Sequence, residues 1–301
     1  MGSADIVPGV SGGTVALVLG IYDELIHNIS QGAHGLKQLL TGDVTGFRHT
    51  LRTIEWVWLL SLLVGILAAV FALSSVIEKL LDTEPVRMAA LFLGLIIGSI
   101  WVALRLLDKI DGAALGIMIG VGAAFFLLLG LRSDTHAADD AAEIVTKPAW
   151  VFFIAGAIAI CAMILPGISG SFLLVMLGMY TEVLGAVNDR DLFILGVFAL
   201  GCVVGLALFS TLLNWLLTNY HRWVLSAMIG LMLGSTRVLW PWPNGTNTTT
   251  LGAPSNDVVV PVLLIVVGAA VVIAIDLIAT KFVKVEPLAE HEQAVAAEQS
   301  S

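Results

Sequence analysis

Six long apolar runs with few charged residues constrain the fold of this chain more than any other feature of its sequence. A helix needs roughly 20 apolar residues to cross the hydrocarbon core of a bilayer, which is about 30 Å thick. The runs that approach or meet this length are 56–77, 86–107, 113–131, 192–217, 223–240 and 258–282. Because hydrophobic residues make up 58% of the chain and charged residues only 12%, lipid is the expected solvent for most of it. The sequence therefore predicts an all-α polytopic membrane protein.

Two further apolar stretches, 6–22 and 149–187, are each interrupted by a Pro-Gly-x-Ser-Gly motif, which begins at Pro8 and at Pro166. Proline removes a backbone donor and glycine permits unusual backbone angles, so we expect each stretch to read helix, break, helix. Broken backbone at membrane depth is tolerated only where it is buried in protein or lines a wet cavity. Each stretch is therefore predicted to be a re-entrant helical hairpin. The more polar segment 23–55 is predicted to be an interfacial amphipathic helix followed by a loop.

The two interrupted stretches align without gaps and form an internal repeat. The matched pairs include Pro8 with Pro166, Gly9 with Gly167, Ser11 with Ser169, Gly12 with Gly170, Tyr22 with Tyr180 and Glu24 with Glu182. A second echo pairs 94–99 with 230–235. Each half thus contains one broken hairpin and three spans, and an odd number of crossings inserts the second half upside down. The pattern predicts two inverted-topology repeats.

The predicted organisation is a first repeat over 1–131, an acidic linker over 132–148, a second repeat over 149–282 and a disordered polar tail over 283–301. With this topology, eight Lys and Arg residues lie on the side of the C-terminus and six on the other side. Because basic residues favour the cytoplasmic side, we expect a multi-pass cell-membrane protein with a cytoplasmic C-terminus. The sequence begins without a basic segment followed by an apolar one, so no cleavable signal peptide is expected.

The paired breaks point to a shared binding site near the membrane midplane. After each break the chain restarts as a helix whose free N–H groups and nearby hydroxyls attract an anion, and phosphate is the natural candidate. The candidate phosphate-binding residues are Pro8, Gly9, Ser11, Gly12, Gly13, Thr14, Pro166, Gly167, Ser169, Gly170, Ser171 and Arg237. Asp5, Glu24 and Glu182 are candidates for proton coupling, because carboxylates at membrane depth are costly and usually functional.

A structural alternative remains open for these motifs. Each Pro-Gly-x-Ser-Gly element could be a turn with only a packing role, and Glu24 and Glu182 could sit at the interface. No catalytic residue, metal site or cofactor is expected. Cys161 and Cys202 lie inside apolar runs, where a thiol behaves as a small hydrophobic group. The net charge of -9 gives no indication of nucleic-acid binding.

Three stretches of the sequence, Ala4–Thr14, Leu165–Ser171 and Trp240–Trp242, resemble the signature stretches of the domain-of-unknown-function family 368. This resemblance extends over about residues 2–284. It implies a flippase-type translocase that returns polyprenyl phosphate, either undecaprenyl phosphate or an archaeal equivalent, from the outer to the inner leaflet for cell-envelope glycan synthesis. It also implies partners limited to this lipid substrate and membrane lipids. Family members carry an apolar lead-in before the first motif, so the first hairpin is expected to have a truncated first arm.

Two other functions fit parts of the pattern. A polyprenyl-diphosphate phosphatase would also use broken helices, but it needs a nucleophile or metal with an acid or base beside the phosphate. Neither motif has a histidine or a dense acidic pair beside it. A transporter of ions or small anions would use broken-helix sites of the same kind.

Overall fold

The computed structural model of the protein describes residues 1–5, 11–107, 109–131, 147–254 and 257–282. Several sequence-based expectations lie outside these residues. They concern Pro8 and Gly9, most of the acidic linker, and the polar tail 283–301.

Within the described ranges the regular elements are helices, as the sequence predicts for an all-α protein. In chain order they are α1 (Gly2–Asp5), α2 (Gly12–Val18), α3 (Tyr22–Leu40), α4 (Val44–Thr53), α5 (Trp56–Thr83), α6 (Pro85–Arg105), α7 (Gly112–Leu129), α8 (Ala149–Ile164), α9 (Gly170–Met176), α10 (Tyr180–Asn188), α11 (Leu192–Ser235) and α12 (Val259–Phe282). A single 3-10 turn, Gly245–Asn247, lies in the loop between α11 and α12.

Five of the described helices, α5, α6, α7, α11 and α12, are long and apolar enough to cross a membrane. Helix α11 covers two of the six predicted spans. Its 44 residues would extend about 66 Å if straight, more than twice the thickness of the hydrocarbon core. Tyr220 has non-helical backbone angles, φ -135° and ψ 34°, and divides α11 into a first arm (192–219) and a second arm (221–235). The chain is thus a polytopic helical membrane protein.

The segment 23–55 differs from the predicted helix followed by a loop, because it contains two helices, α3 and α4. Gly42, at a φ of +79°, lies in the turn that joins them. The Asp43 carboxylate then caps α4 by accepting a hydrogen bond from the Gly46 N–H at 2.9 Å. Helix α3 packs on both α4 and α11, and these contacts bury one of its faces. The glycine turn, the N-cap and the packing of α4 on α3 all favour a helix where the sequence predicts a loop.

Glycines allow the long helices to pack backbone against backbone. A Cβ on Gly94 of α6 would lie 2.2 Å from the Ile265 carbonyl oxygen of α12. On α11, a Cβ on Gly201 would lie 2.0 Å from the Phe153 carbonyl oxygen of α8. Close contact between small residues is the usual way in which helices associate in lipid, where apolar surface gives no drive of its own.

The helix pairs correspond between the two halves. In the alignment of the repeat, α6 matches the second arm of α11, and α7 matches α12. The observed pairs are α6 with α12 and α7 with the second arm of α11, so each half lends one helix to a partner in the other. Another matched pair of contacts lies within the halves: α5 packs on α1 in the first half, and the first arm of α11 packs on α8 in the second.

The largest buried cluster lies where the two halves meet. It includes Ile96 from α6, Ile26 from α3, and Leu225 and Met232 from the second arm of α11. Side chains from α2 pack against the same cluster, among them Ala16. The described end of the first motif, Ser11 and Gly12, is buried next to this cluster.

We predict that Gly94→Ala destabilises the protein, because its new methyl group would collide with the Ile265 backbone. Overpacking of this kind costs about 1–3 kcal/mol. Gly116→Ala on α7 is the matched control, since a Cβ there meets no atom within 4 Å. Unfolding of both variants in lipid nanodiscs checks this: equal stability of the two would contradict the close approach of α6 and α12.

Candidate functional site

Ser11 immediately precedes α2 and is the first described residue of the first motif. It has extended backbone angles, φ -130° and ψ 154°, and its Oγ accepts a hydrogen bond from the Thr14 N–H at 3.3 Å. This is the geometry of a helix N-cap. Ser11 and Thr14 are 1% and 2% exposed, so both hydroxyls lie in the protein interior. Pro8, Gly9 and the side chain of Asp5 lie outside the described residues.

Hydrogen bonds join the described end of the first motif and the nearby Thr14 to the start of the second motif and its flanking Leu165. The Ser11 hydroxyl donates to the Leu165 carbonyl at 3.0 Å. The Gly167 N–H donates to the Thr14 hydroxyl oxygen at 3.0 Å. Since the Ser11 proton is engaged by Leu165, the 3.4 Å contact between the Ser11 and Thr14 oxygens has Thr14 as its donor. The structure thus brings together the two motifs that the sequence assigns to one site.

A tyrosine completes this contact. The Tyr22 hydroxyl donates to the carbonyl of Ile164, the last residue of α8, at 3.1 Å. The last carbonyls of a helix have no partner within that helix, and Pro166 lacks an N–H that could serve them. Tyr22 and Ser11 therefore cap the end of α8 from the other half of the chain. Sequence analysis found Tyr22 only as a marker of the repeat, because no local pattern reveals so distant a partner.

Two glycines of the motifs are required by close approach. A Cβ on Gly13 would lie 2.4 Å from the Ile164 carbonyl oxygen. Gly167 has a φ of +82°, and a Cβ there would lie 2.9 Å from the Met232 Cα. Serine occupies the position of Gly13 in the second motif, at Ser171. The two motifs therefore cannot exchange roles, since a side chain at Gly13 would push α2 away from α8.

The serines of the second motif make a different contact. Ser169 Oγ lies 2.8 Å from Ser171 Oγ, and Ser169 makes no side-chain cap bond to α9. Ser169 is buried, whereas Ser171 is exposed. Ser171 consequently places a hydroxyl at the surface of the motif, where the first copy has no side chain.

The matched acids Glu24 and Glu182 have different surroundings. Burial raises the pKa of the Glu24 carboxyl, and the neighbouring Glu55 raises it further. Glu182 instead forms an ion pair with Lys147 at 3.6 Å. An acid that the sequence did not single out, Asp23, lies 3.9 Å from His221 at the bend of α11. Burial raises the Asp23 pKa, while the His221 charge opposes this shift.

Arg237 makes its described contacts away from the paired motifs. Its Nε donates to the Thr249 carbonyl at 3.1 Å, and its guanidinium lies 4.9 Å from the centre of the Phe126 ring. Among the described contacts of Arg237, none joins it to Ser11, Thr14 or Ser169. The Arg237 side chain therefore packs against α7 and the loop after α11, and these contacts are not at the meeting point of the motifs.

An apolar cavity of about 290 Å³ adjoins the first motif. Helices α1, α2, α5, α6 and α12 form its walls, and Thr14 contributes a hydroxyl at the motif end. The lining residues are Ala4, Thr14, Val15, Val18, Leu19, Ile77, Phe92, Leu95, Ile96, Ser99, Val272 and Ile275. The Ser99 hydroxyl bonds to the Leu95 carbonyl of its own helix at 2.7 Å. The cavity thus presents mainly hydrocarbon.

Across the described part of the chain, no three His, Cys, Asp or Glu side chains converge in the way a metal ion would require. Cys161 and Cys202 are free thiols, and their sulfurs contact the carbonyls of Gly205 and Gly156 on the facing helices. These cysteines belong to the close packing of α8 on α11.

Comparison with known proteins identifies relatives over most of the chain. Residues 1–256 match the family described as VCA0040-like, undecaprenyl phosphate translocase-like. A curated protein of Vibrio cholerae, named polyprenyl-phosphate transporter, is 42% identical over 243 residues, covering 80% of this chain and 75% of the relative. One of Staphylococcus aureus with the same name is 30% identical over 287 residues, covering 92% of each chain. No solved structure matches the chain.

We predict that Ser11→Ala destabilises the protein by about 1–2 kcal/mol, because it removes the N-cap bond to the Thr14 N–H and the bond between the Ser11 hydroxyl and the Leu165 carbonyl. The Thr14 N–H and the Leu165 carbonyl each keep a backbone partner, the Ser11 carbonyl at 3.0 Å and the Ile168 N–H at 3.4 Å. Thr218→Ala is the control, since that exposed hydroxyl bonds only within its own helix. Thermal unfolding in nanodiscs gives the comparison. A loss no larger for Ser11→Ala than for Thr218→Ala would show that the bond between the motifs does not hold the halves together.

Proposed function

We propose that this chain, which belongs to the undecaprenyl phosphate translocase-like family, transports a polyprenyl phosphate lipid carrier across the membrane. The observation that carries the proposal is a pair of hydrogen bonds inside the protein that join each motif to a residue beside the other, Ser11 to Leu165 and Gly167 to Thr14. The names of both relatives support the same substrate class. They also describe transporters rather than enzymes, and the chain is not an enzyme.

The proposed phosphate site is the meeting point of the motifs. It consists of Ser11, Gly12, Gly13 and Thr14 with Pro166, Gly167, Ser169, Gly170 and Ser171, together with Pro8 and Gly9 of the first motif. Helices α2 and α9 contain only seven residues each, so their dipoles add little. The phosphate is bound instead by hydroxyl and backbone N–H donors, which form strong hydrogen bonds with an anion.

Binding at this site requires the motifs to separate slightly. The Ser11 hydroxyl donates to Leu165, and the Gly167 N–H donates to Thr14. A phosphate oxygen entering between the motifs replaces these acceptors and recovers both donors. In this proposal the arrangement with both bonds made is the closed form of the site, and opening it exchanges bonds within the protein for bonds to the substrate.

We propose an inverted relation between the halves and a rocking motion of one against the other. The exchange of partners between α6–α12 and α7–α11 is the arrangement that an inverted repeat produces. Charged pairs fit the same topology. Arg105–Asp276 and Arg222–Asp111 join helix ends assigned to the side of the C-terminus, which we place in the cytoplasm. Lys147–Glu182 joins ends assigned to the opposite side.

The direction of transport in this proposal is from the outer to the inner leaflet, which recycles the carrier for cell-envelope glycan synthesis. Glu24 is the best of the three proposed proton-coupling residues, because burial and Glu55 favour its protonated form. Glu182 is held by Lys147, and Asp5 precedes the first motif. Arg237 attracts the phosphate before it reaches the motifs.

A vesicle assay tests the proposal. Purified protein is reconstituted with polyprenyl phosphate, and the fraction of carrier accessible to an impermeant reagent outside is followed over time. We expect wild-type protein to move the carrier and Ser169→Ala/Ser171→Ala to slow it about tenfold or more, because charge-assisted hydrogen bonds are lost.

Thr218→Ala serves as the control and should transport at the wild-type rate. The exposed Thr218 hydroxyl donates to the Asn214 carbonyl of its own helix and makes no bond to either motif. Wild-type protein that moves no carrier would overturn the proposed function. Unchanged transport in the double variant would remove the second motif from the phosphate site.

A further inference from the structure

The apolar cavity beside the first motif has no role in phosphate binding itself. Among the described residues, no charged side chain lines it, and its two hydroxyls, from Thr14 and Ser99, already have partners. A bare ion or free phosphate would lose its hydration there without compensation, which is strongly unfavourable. The chemistry of the cavity suits a hydrocarbon group.

Thr14 joins the cavity to the meeting point of the motifs. It lines the cavity, and its hydroxyl oxygen also accepts the Gly167 N–H. A phosphate bound between the motifs therefore lies next to the mouth of this cavity. The chain attached to that phosphate has an apolar space available at its first carbons.

The cavity also opens toward lipid. Leu19 and Ile275 on its lining are 40% and 41% exposed, whereas Phe92 and Ile96 on the inner wall are 7% and 0% exposed. Its volume, about 290 Å³, is at the lower end of the range for sites that enclose a small ligand. It can hold a short branched segment while a longer chain continues into the bilayer.

We propose that this cavity binds the isoprene units next to the phosphate of the carrier. The inference rests on the proposed function and adds a second element of recognition to it. The motifs bind the phosphate, the cavity binds the first branched units, and the distal chain stays in lipid. Selection for a prenyl chain over a straight or diacyl chain then takes place at this cavity.

Adjacent valines on α12 provide a matched pair of variants. Val272 lines the cavity and is 7% exposed, whereas Val271 is 45% exposed on the same helix. We expect Val272→Phe to fill the cavity and to slow transport of a long prenyl phosphate at least about fivefold. Val271→Phe adds the same group on the lipid side and should leave the rate unchanged.

A photoreactive prenyl phosphate provides a second measurement on the wild-type protein. With the reactive group in the first isoprene unit, we expect labelling of Phe92, Ile96 or Val272. With the group in the last unit, these residues should stay unlabelled. This experiment decides the question even if Val272→Phe does not fold.

The outcomes separate the cavity from the transport function. Wild-type protein that moves no prenyl phosphate overturns the proposed function. If it does move the carrier, equal rates for the two valine variants, or first-unit labelling away from the cavity, overturn the cavity assignment alone. Equal labelling of the cavity by a photoreactive diacyl lipid in competition would also overturn it, because the cavity would then hold any lipid chain.

Discussion

The end of α8 is the point on which the central architecture depends. This helix stops inside the protein at a Leu-Pro-Gly sequence, where its last carbonyls lose their helical partners. The Tyr22 hydroxyl from the other half donates to the Ile164 carbonyl. The Ser11 hydroxyl donates to the Leu165 carbonyl, which also accepts the Ile168 N–H at 3.4 Å. In an apolar setting an unpaired carbonyl costs far more than in water, so these long-range bonds fix how the two halves meet.

The same contact explains why the motifs differ in detail although they repeat. Gly13 lies so close to the Ile164 carbonyl that no side chain fits there. In the second copy, Ser171 stands at the matching position and turns its hydroxyl to an exposed surface. The first copy thus packs closely and caps a helix end, whereas the second copy carries a hydroxyl at an exposed position. Glycine contacts between α6 and α12 then allow the surrounding helices to lie close without interlocking large side chains.

Much of the fold could be predicted from the sequence because lipid leaves few alternatives. Long apolar runs predicted α5, α6, α7 and α12. The two arms of α11 were also predicted as separate spans, and Tyr220 separates them. Helix α4 was missed because its average hydropathy is polar and its N-cap, Asp43, is a short-range signal within a segment interpreted as a loop.

The candidate site was harder to predict. Repetition indicated that Ser11, Thr14 and Gly167 belong together, and the structure brings them into contact. The repeat also aligns Glu24 with Glu182, but their surroundings differ. Glu55 lies near Glu24, whereas Lys147 forms an ion pair with Glu182. Arg237 was assigned by its nearness to a repeated Gly-Ser pair, but its contacts depend on a loop whose path no periodicity encodes.

The most direct measurement is an experimental structure of the protein in nanodiscs with polyprenyl phosphate bound. We expect phosphate density between the motifs, with oxygens within about 3 Å of the Ser11 or Thr14 hydroxyl and of donors in the second motif. The bond from Ser11 to Leu165 should be broken in that state. A phosphate bound at Arg237 while the bonds between the motifs stay intact would show that the motifs are not the phosphate site.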